Sequence, residues 1–294
     1  MHPYLFQLNL PWGGTFKAAS YGFMILIGFL LCLWLVQRRG RRMGMDPTAI
    51  FDATIVGLFG GIIGARVFYV LDNWSQFSGD LWQIVRLDRG GLAFFGGLVG
   101  GLLGMLLMVR KRRLPLRESL GVVASLMPLG HAFGRVGCFL NGCCYGTVTH
   151  GWTGVVFPRF VDKDGFVTGS PAYIGQFNQG LLTIADTHSL PVHPTQLYEV
   201  GYNLLFFALL SWMLPRRRRA GDTAWAYLIL YGTARFVNEF FRADNPRYPA
   251  LGGLTIFQAL CIAAVVFGIV MLARSLSRAP EPIPIPWEPP KETA

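Results

Sequence analysis

The sequence predicts an all-α polytopic membrane protein with about seven transmembrane helices and a small extracytoplasmic cap, and three observations lead there. Hydrophobic residues fill 52% of the 294 positions and charged residues only 14%, where a soluble domain carries about 25% charge; mean hydropathy is +0.42. Seven apolar segments approach the ~20 residues that a helix needs to cross hydrocarbon. Basic residues gather at alternate segment ends instead of spreading along the chain.

Taken in order, the first segment spans residues 19–37 and is followed by Arg38, Arg39, Arg41 and Arg42. The stretch before it, MHPYLFQLNLPWGGTF, lacks the basic n-region and short apolar core of a cleaved signal, so this span is expected to act as an uncleaved insertion signal. Segments two (49–71) and three (91–109) come next, the third followed by Arg110, Lys111, Arg112, Arg113 and Arg117. The fourth, 119–136, is interrupted by Pro128 and carries His131 and Arg135 near its end. A long stretch, 137–194, includes HGWTGVVFPRFVDKDGFVTGSPAY and reads as the cap, with VVFPRF as a strand and DKDG as a turn. Segments five (195–214), six (223–241) and seven (253–273) complete the set, with Arg216–Arg219 after the fifth and Arg274 and Arg278 after the seventh. The tail APEPIPIPWEPPKETA is proline-rich and predicts an extended cytoplasmic appendage. The expected division is helices one to four in 1–136, the cap in 137–194, helices five to seven in 195–275 and the tail in 276–294.

Every basic cluster falls on the same side of this arrangement, which puts the amino terminus outside and the carboxyl terminus in the cytoplasm. The net charge of +10 does not call for nucleic acid as a partner, because the basic blocks directly abut apolar stretches, where anionic lipid and insertion orientation account for them.

Chemistry is expected where polarity intrudes on the spans. Arg66, Arg135 and Arg235 lie in the outward halves of the second, fourth and sixth segments. An arginine there is costly unless it snorkels, pairs or faces a polar cavity; three at one depth suggest one site, and guanidinium forks suit phosphate oxygens. Helix gluing is the alternative use. In YGTARFVNEFFR, the residues Tyr231, Arg235, Glu239 and Arg242 share one helical face, so that Glu239 either holds an arginine or accepts a proton. HPTQLYE brings His193 and Glu199 to the start of the fifth span, as helix-start and packing groups or as groups that orient a hydroxyl or thiol. Tyr21 sits at the outer start of the first span, a common place for an interfacial anchor. Glycine runs at 57–66, 89–104 and 134–146 favour close helix packing and, following no strand, are not nucleotide-binding loops. Cys138, Cys143 and Cys144 lack the paired spacing of a zinc signature and read as packing thiols, with a thiolate favoured by Arg135 as the alternative.

These motifs, in this order, resemble the bacterial phosphatidylglycerol–prolipoprotein diacylglyceryl transferase family: Tyr21-Gly22, Gly64-Ala65-Arg66, Gly96-Gly97, Gly134-Arg135-x-Gly137 with Asn141-Gly142 and Gly146, His193-Pro-x-Gln196-Leu-Tyr-Glu199, Tyr231 to Arg242, and Gly253-Leu-Thr255-x-x-Gln258. The resemblance implies transfer of a diacylglyceryl group from phosphatidylglycerol to the lipobox cysteine of a prolipoprotein, with no metal or soluble cofactor, at a site open to the outer leaflet of the cytoplasmic membrane. It implies that Arg135 and Arg235 manage the phosphate; on the leading reading Arg66 and Glu239 shape the site, with Glu239 counted beside the two arginines as catalytic. Tyr21, Gly96, Gly97, Asn141, His193, Glu199, Tyr231 and Arg242 are the further candidates for substrate contact. A noncatalytic phospholipid-binding or lipid-transport protein is the alternative of another class. Two features depart from the family pattern. Phe95 stands where a histidine usually precedes the glycine pair, and thiols stand in Gly137-Cys138-Phe139 and Asn141-Gly142-Cys143, where Gly-Asn-Phe and Asn-Gly-Glu are usual.

For topology, a reporter fused after Arg219 is expected to register the cytoplasm and one inserted near Lys163 the external side. Reversed or identical locations would refute the seven-span arrangement.

Overall fold

A computed structural model of the chain describes residues 4–9, 15–86, 91–161, 167–243, 245, 248–282 and 284–288. It shows a mostly helical polytopic membrane protein, with two small antiparallel hairpins that the all-α expectation lacked. Strands β1 (Tyr4–Asn9) and β2 (Thr15–Ala19) form the first hairpin and lead into α1 (Ser20–Arg42). There follow α2 (Pro47–Asp72), the short α3 (Trp74–Phe77), a 3-10 turn at Leu81–Val85 and α4 (Phe94–Lys111). Next come α5 (Leu116–Ala124), α6 (Met127–Asn141), the hairpin of β3 (Arg159–Val161) with β4 (Val167–Gly169), and α7 (Pro171–Asn178). Helices α8 (Thr195–Met213), α9 (Asp222–Glu239) and α10 (Ile256–Leu276) close the fold.

Among the described residues, five stretches are long and apolar enough to cross a membrane: α1, α2, the α5–α6 stretch Leu116–Asn141, Thr195–Arg216 and α10. Helix α9 carries Asp222, Arg235 and Glu239 within its 18 residues, and α4 is rich in glycine. The fourth apolar segment is two helices, not one. Pro128 lies in the first turn of α6, where no backbone donor is required, so the break falls just before it. Helix α1 continues through its basic cluster to Arg42, since arginine is a good helix former.

The chain divides into two compact units, Met1–Cys32 with Val123–Glu281, and Leu33–Val122 with Pro282–Ala294. In the second unit, α2 and α4 meet backbone to backbone. A Cβ at Gly64 would lie 2.3 Å from the Gly96 carbonyl oxygen, and one at Gly100 would lie 2.3 Å from that of Gly60, so glycine here buys an approach that no other residue allows. The loop between these helices is latched by Arg66. Its Nε donates to the carbonyl of Ile84 (2.8 Å), Nη1 to Gly91 (2.9 Å), and Nη2 to Gln83 (2.6 Å) and Arg86 (2.8 Å), while its guanidinium also faces the rings of Tyr69 and Phe77.

In the first unit, α6 packs on α1, where the Gly28 position abuts Phe133, and on α8. Residues 137–194 hold a small core of Phe157, Ala172 and Val192, flanked by Phe139, Tyr145 and Val155. Val155 and Val192 exchange backbone hydrogen bonds at 3.0 Å. The expected strand at VVFPRF is confined to its end, in β3, and the DKDG turn with Lys163 lies outside the described residues. The tail is pinned rather than free: Glu281 pairs with Arg219 at 2.5 Å and accepts from the Ala220 amide, and the Trp287 amide donates to the Arg41 carbonyl.

Gly100→Ala is expected to lower the thermal midpoint of the detergent-solubilised protein, by an overpacking cost of about 1–3 kcal/mol. Gly201→Ala on α8, where a Cβ meets nothing within 4 Å, should leave it unchanged; equal midpoints for the two variants would rule out the backbone contact.

Candidate functional site

Polar residues from α6, α8, α9 and the start of α10 converge around two carboxylates. Glu199 on α8 and Glu239 at the end of α9 each have side chains only 1% exposed. Arg135 Nε on α6 lies 2.9 Å from Glu199 Oε2. Asn238 Nδ2 donates to Glu199 Oε1 at 3.0 Å, and Arg242 Nη1 lies 3.8 Å from that same oxygen. Arg235 donates to Glu239 Oε2 across one helical turn, the spacing that puts residues four apart on one face. Glu239 Oε1 accepts from Asn245 Nδ2 (2.7 Å) and Thr255 Oγ1 (2.8 Å), and Arg242 Nε stands 4.0 Å from Oε2.

Thr255 does double duty. Its hydroxyl oxygen accepts from the Gln258 amide at 3.1 Å in a capping box while donating its proton to Glu239, so the same atom begins α10 and ties it to the end of α9.

Among the described residues, three guanidiniums therefore gather around two carboxylates. Arg235 and Arg242 are 7% exposed, and the Arg235 guanidinium lies over the Phe257 ring; Arg135 is 19% exposed. Among the described residues Arg135 makes its ion pair through Nε alone, which leaves its two η nitrogens for another acceptor. Beside Glu199, the buried Oδ1 atoms of Asn203 and Asn238 have no partner among the described residues.

The other predicted residues fall as follows. Tyr231 on α9 lies against the His131 ring, centroids 4.9 Å apart, and stacks on Tyr227. Tyr21 packs on Gly137, the turn of α6 after Arg135. His193 hydrogen-bonds Tyr198 through Nδ1 at 3.1 Å, and Tyr198 reaches Thr153 at 3.2 Å; with Phe241 these rings form an aromatic cluster at the start of α8. Arg66, Gly96 and Gly97 belong to the other unit, where Arg66 spends its donors on loop carbonyls and the glycines serve the α2–α4 contact. Sequence reasoning passed over Asn238, Asn245 and Thr255 as site groups. The signal for the last was the Thr-x-x-Gln pattern of a capping box at 255–258.

Asn141 ends α6, and Gly142 caps it in the left-handed conformation at φ 75°. Cys144 follows at φ 59°. This reversal folds Cys143 and Cys144 back on Cys138, so the three sulfurs lie within 4.8 Å of one another. Gln196 Nε2 donates to the Cys143 carbonyl and Thr195 Oγ1 to the Cys144 carbonyl, both at 2.7 Å. Thiol hydrogen bonds from Cys138 and Cys143, then the charges of Arg135 and Arg242, hold the Cys144 thiol well below the ordinary range against the opposing effect of burial.

The sequence profile described as prolipoprotein diacylglyceryl transferase matches residues 8–274. The chain belongs to this family. It is 32% identical over 281 residues to the phosphatidylglycerol–prolipoprotein diacylglyceryl transferase of Vibrio cholerae, covering 94% of this chain and 92% of the relative. It is 31% identical over 269 residues to the enzyme of the same name from Escherichia coli (89% and 90% covered). It is also 31% identical over 255 residues to phosphatidylglycerol–prolipoprotein diacylglyceryl transferase 2 of Clostridium perfringens (87% and 90%).

Glu239→Gln is expected to cost roughly 3–5 kcal/mol, since it strips the buried Arg235 of its counter-charge. His193→Gln loses one neutral hydrogen bond, about 1 kcal/mol. Thermal midpoints in one detergent should rank the two in that order, and the reverse order would refute the assignment of Glu239 as the clamp.

Proposed function

We propose that the protein transfers the diacylglyceryl group of phosphatidylglycerol to the lipobox cysteine thiol of prolipoproteins, releasing glycerol 1-phosphate. The observation that carries this reading is the cluster of three guanidiniums held by two buried carboxylates, with Arg135 the most exposed of them. A phosphodiester is an anion whose oxygens suit the η nitrogens of Arg135. The names of the relatives point to the same substrates.

In the reaction the acceptor sulfur attacks the glyceryl carbon that bears the phosphate. The thiol gives up its proton to solvent, a C–S bond forms, the C–O bond breaks, and the phosphodiester becomes a phosphomonoester carrying a second negative charge. Stabilising charge as it develops is the largest contribution a site of this kind makes, and it falls to Arg135 with Arg235 and Arg242 behind it. Glu199 and Glu239 are positioning residues: their oxygens are taken up by the arginines, Asn238, Asn245 and Thr255. The unpartnered Oδ1 atoms of Asn203 and Asn238 are acceptors for hydroxyls of the glycerol head group. Tyr21 on α1 and Tyr231 on α9 are further candidates for substrate contact, with Asn141 at the end of α6 and His193 ahead of α8.

In this reading α4 and α9 also cross the bilayer, giving seven spans. The protein sits in the bacterial cytoplasmic membrane with its amino terminus outside and carboxyl terminus inside, the basic clusters supplying the orientation. Residues 137–194 form the extracytoplasmic cap and 276–294 the cytoplasmic tail.

Arg135→Gln and Arg235→Gln are each expected to lower transfer by about 10²–10³-fold, measured with radiolabelled phosphatidylglycerol and a lipobox peptide at equal folded protein. Thioether product from the wild type supports the transferase. Lipid binding without product would leave a lipid-binding protein in its place, and unchanged rates in both variants would remove the arginines from the chemistry.

A further inference from the structure

We propose that Cys138, Cys143 and Cys144 form a three-thiolate site for one zinc-class d10 dication, whose fourth position takes the acceptor thiol of the reaction. The second half of this inference rests on the transferase reading; the first stands without it.

The geometry comes first. Three sulfurs within 4.8 Å of one another need only small side-chain rotations to reach the separation of about 3.8 Å that ~2.3 Å zinc–sulfur bonds impose in a tetrahedron. The cluster is also held by backbone. Gly142 and Cys144 both adopt positive φ, the Cys143 amide donates to the Cys138 carbonyl at 3.1 Å, and Gln196 and Thr195 fix the two following carbonyls. A non-glycine residue held in the left-handed region costs of order 1–3 kcal/mol, and such strain concentrates at functional sites. Here it brings three soft ligands together.

Arg135 stands one turn before Cys138 on α6, which sets a cation close in sequence to the cluster. Among the described residues no histidine or carboxylate joins the group. Zinc favours four ligands, and three protein ligands leave a position open.

The acceptor of the proposed reaction is itself a thiol. Bound in the open position, its sulfur gives up its proton to solvent and is held as a thiolate beside Arg135, where the phosphate of the donor lies. It then attacks the glyceryl carbon, the C–O electron pair leaves with glycerol 1-phosphate, and the resulting thioether, a weaker ligand, departs. This supplies the acceptor activation that Phe95 cannot, and it gives a common reason for two departures from the family pattern, Cys138 and Cys143.

The test uses full-length protein in detergent with a phosphine reductant. Cadmium should bind at one per chain with an ultraviolet sulfur-to-metal charge-transfer band. Cys138→Ser, Cys143→Ser and Cys144→Ser should each weaken binding at least tenfold, whereas a Cys32→Ser/Cys261→Ser variant keeps it; circular dichroism verifies that each is folded. In the cobalt-loaded protein a lipobox peptide should shift the visible spectrum, and its serine counterpart should not. No band, a band that survives in the three variants, or a disulfide among the three cysteines in protein trapped with N-ethylmaleimide directly from membranes would overturn the metal site. A band that ignores the cysteine peptide, or equal transfer by stripped and reloaded protein, would overturn the thiol-binding role. Absence of thioether product beside an intact cadmium band would instead overturn the transferase reading.

Discussion

The site depends on two buried carboxylates that must never be left alone. Removing an ionised carboxylate from water costs several kcal/mol even after relaxation, and only close opposite charge together with further hydrogen bonds offsets it. Glu199 and Glu239 meet that condition with partners drawn from two helices and the cap of a third. The consequence is geometric: satisfying these oxygens fixes where Arg135, Arg235 and Arg242 stand, so the guanidiniums are in place before any substrate arrives. Orientation fixed in advance is how a site contributes to reactions between two bound partners.

The same clamp grades the arginines. Arg235 is tied to a carboxylate on its own helix and covered by Phe257, and Arg242 is shared between both carboxylates at longer range. Arg135 alone combines a counter-ion with partial exposure. A chemically uniform trio thus becomes one group facing outward and two that set the field behind it. The thiol cluster lies at the end of the same helix that carries Arg135.

Much of this was legible in the sequence. The apolar segments, the broken fourth span at Pro128 and the shared face of Tyr231, Arg235, Glu239 and Arg242 all follow from helical periodicity and proline chemistry, which are local. Local pattern failed where the outcome depended on what lay across from a residue. Arg66 looks like Arg135 in sequence, a lone cation in an apolar helix within two residues of a glycine, yet it meets a ring of loop carbonyls while Arg135 meets Glu199. The proximity of the three cysteines was not legible for a related reason: their spacing is read as linear, and the left-handed turn at Gly142 that brings them together is a property of the helix end. The stretch before α1 was read only for the features of a cleaved signal, and its hairpin went unread.

The α2–α4 contact bears on how the chain assembles. With carbonyl oxygens occupying the space where any Cβ would stand, the two helices have a single register and no side-chain slack with which to sample others. The latch at Arg66 joins the first of them to the loop that begins the second, so every partner in the contact comes from one short sequence interval. Contacts so near in sequence lose little chain entropy on closing and form early. Short loop closure thus favours pairing of α2 with α4 ahead of contacts that need later parts of the polypeptide.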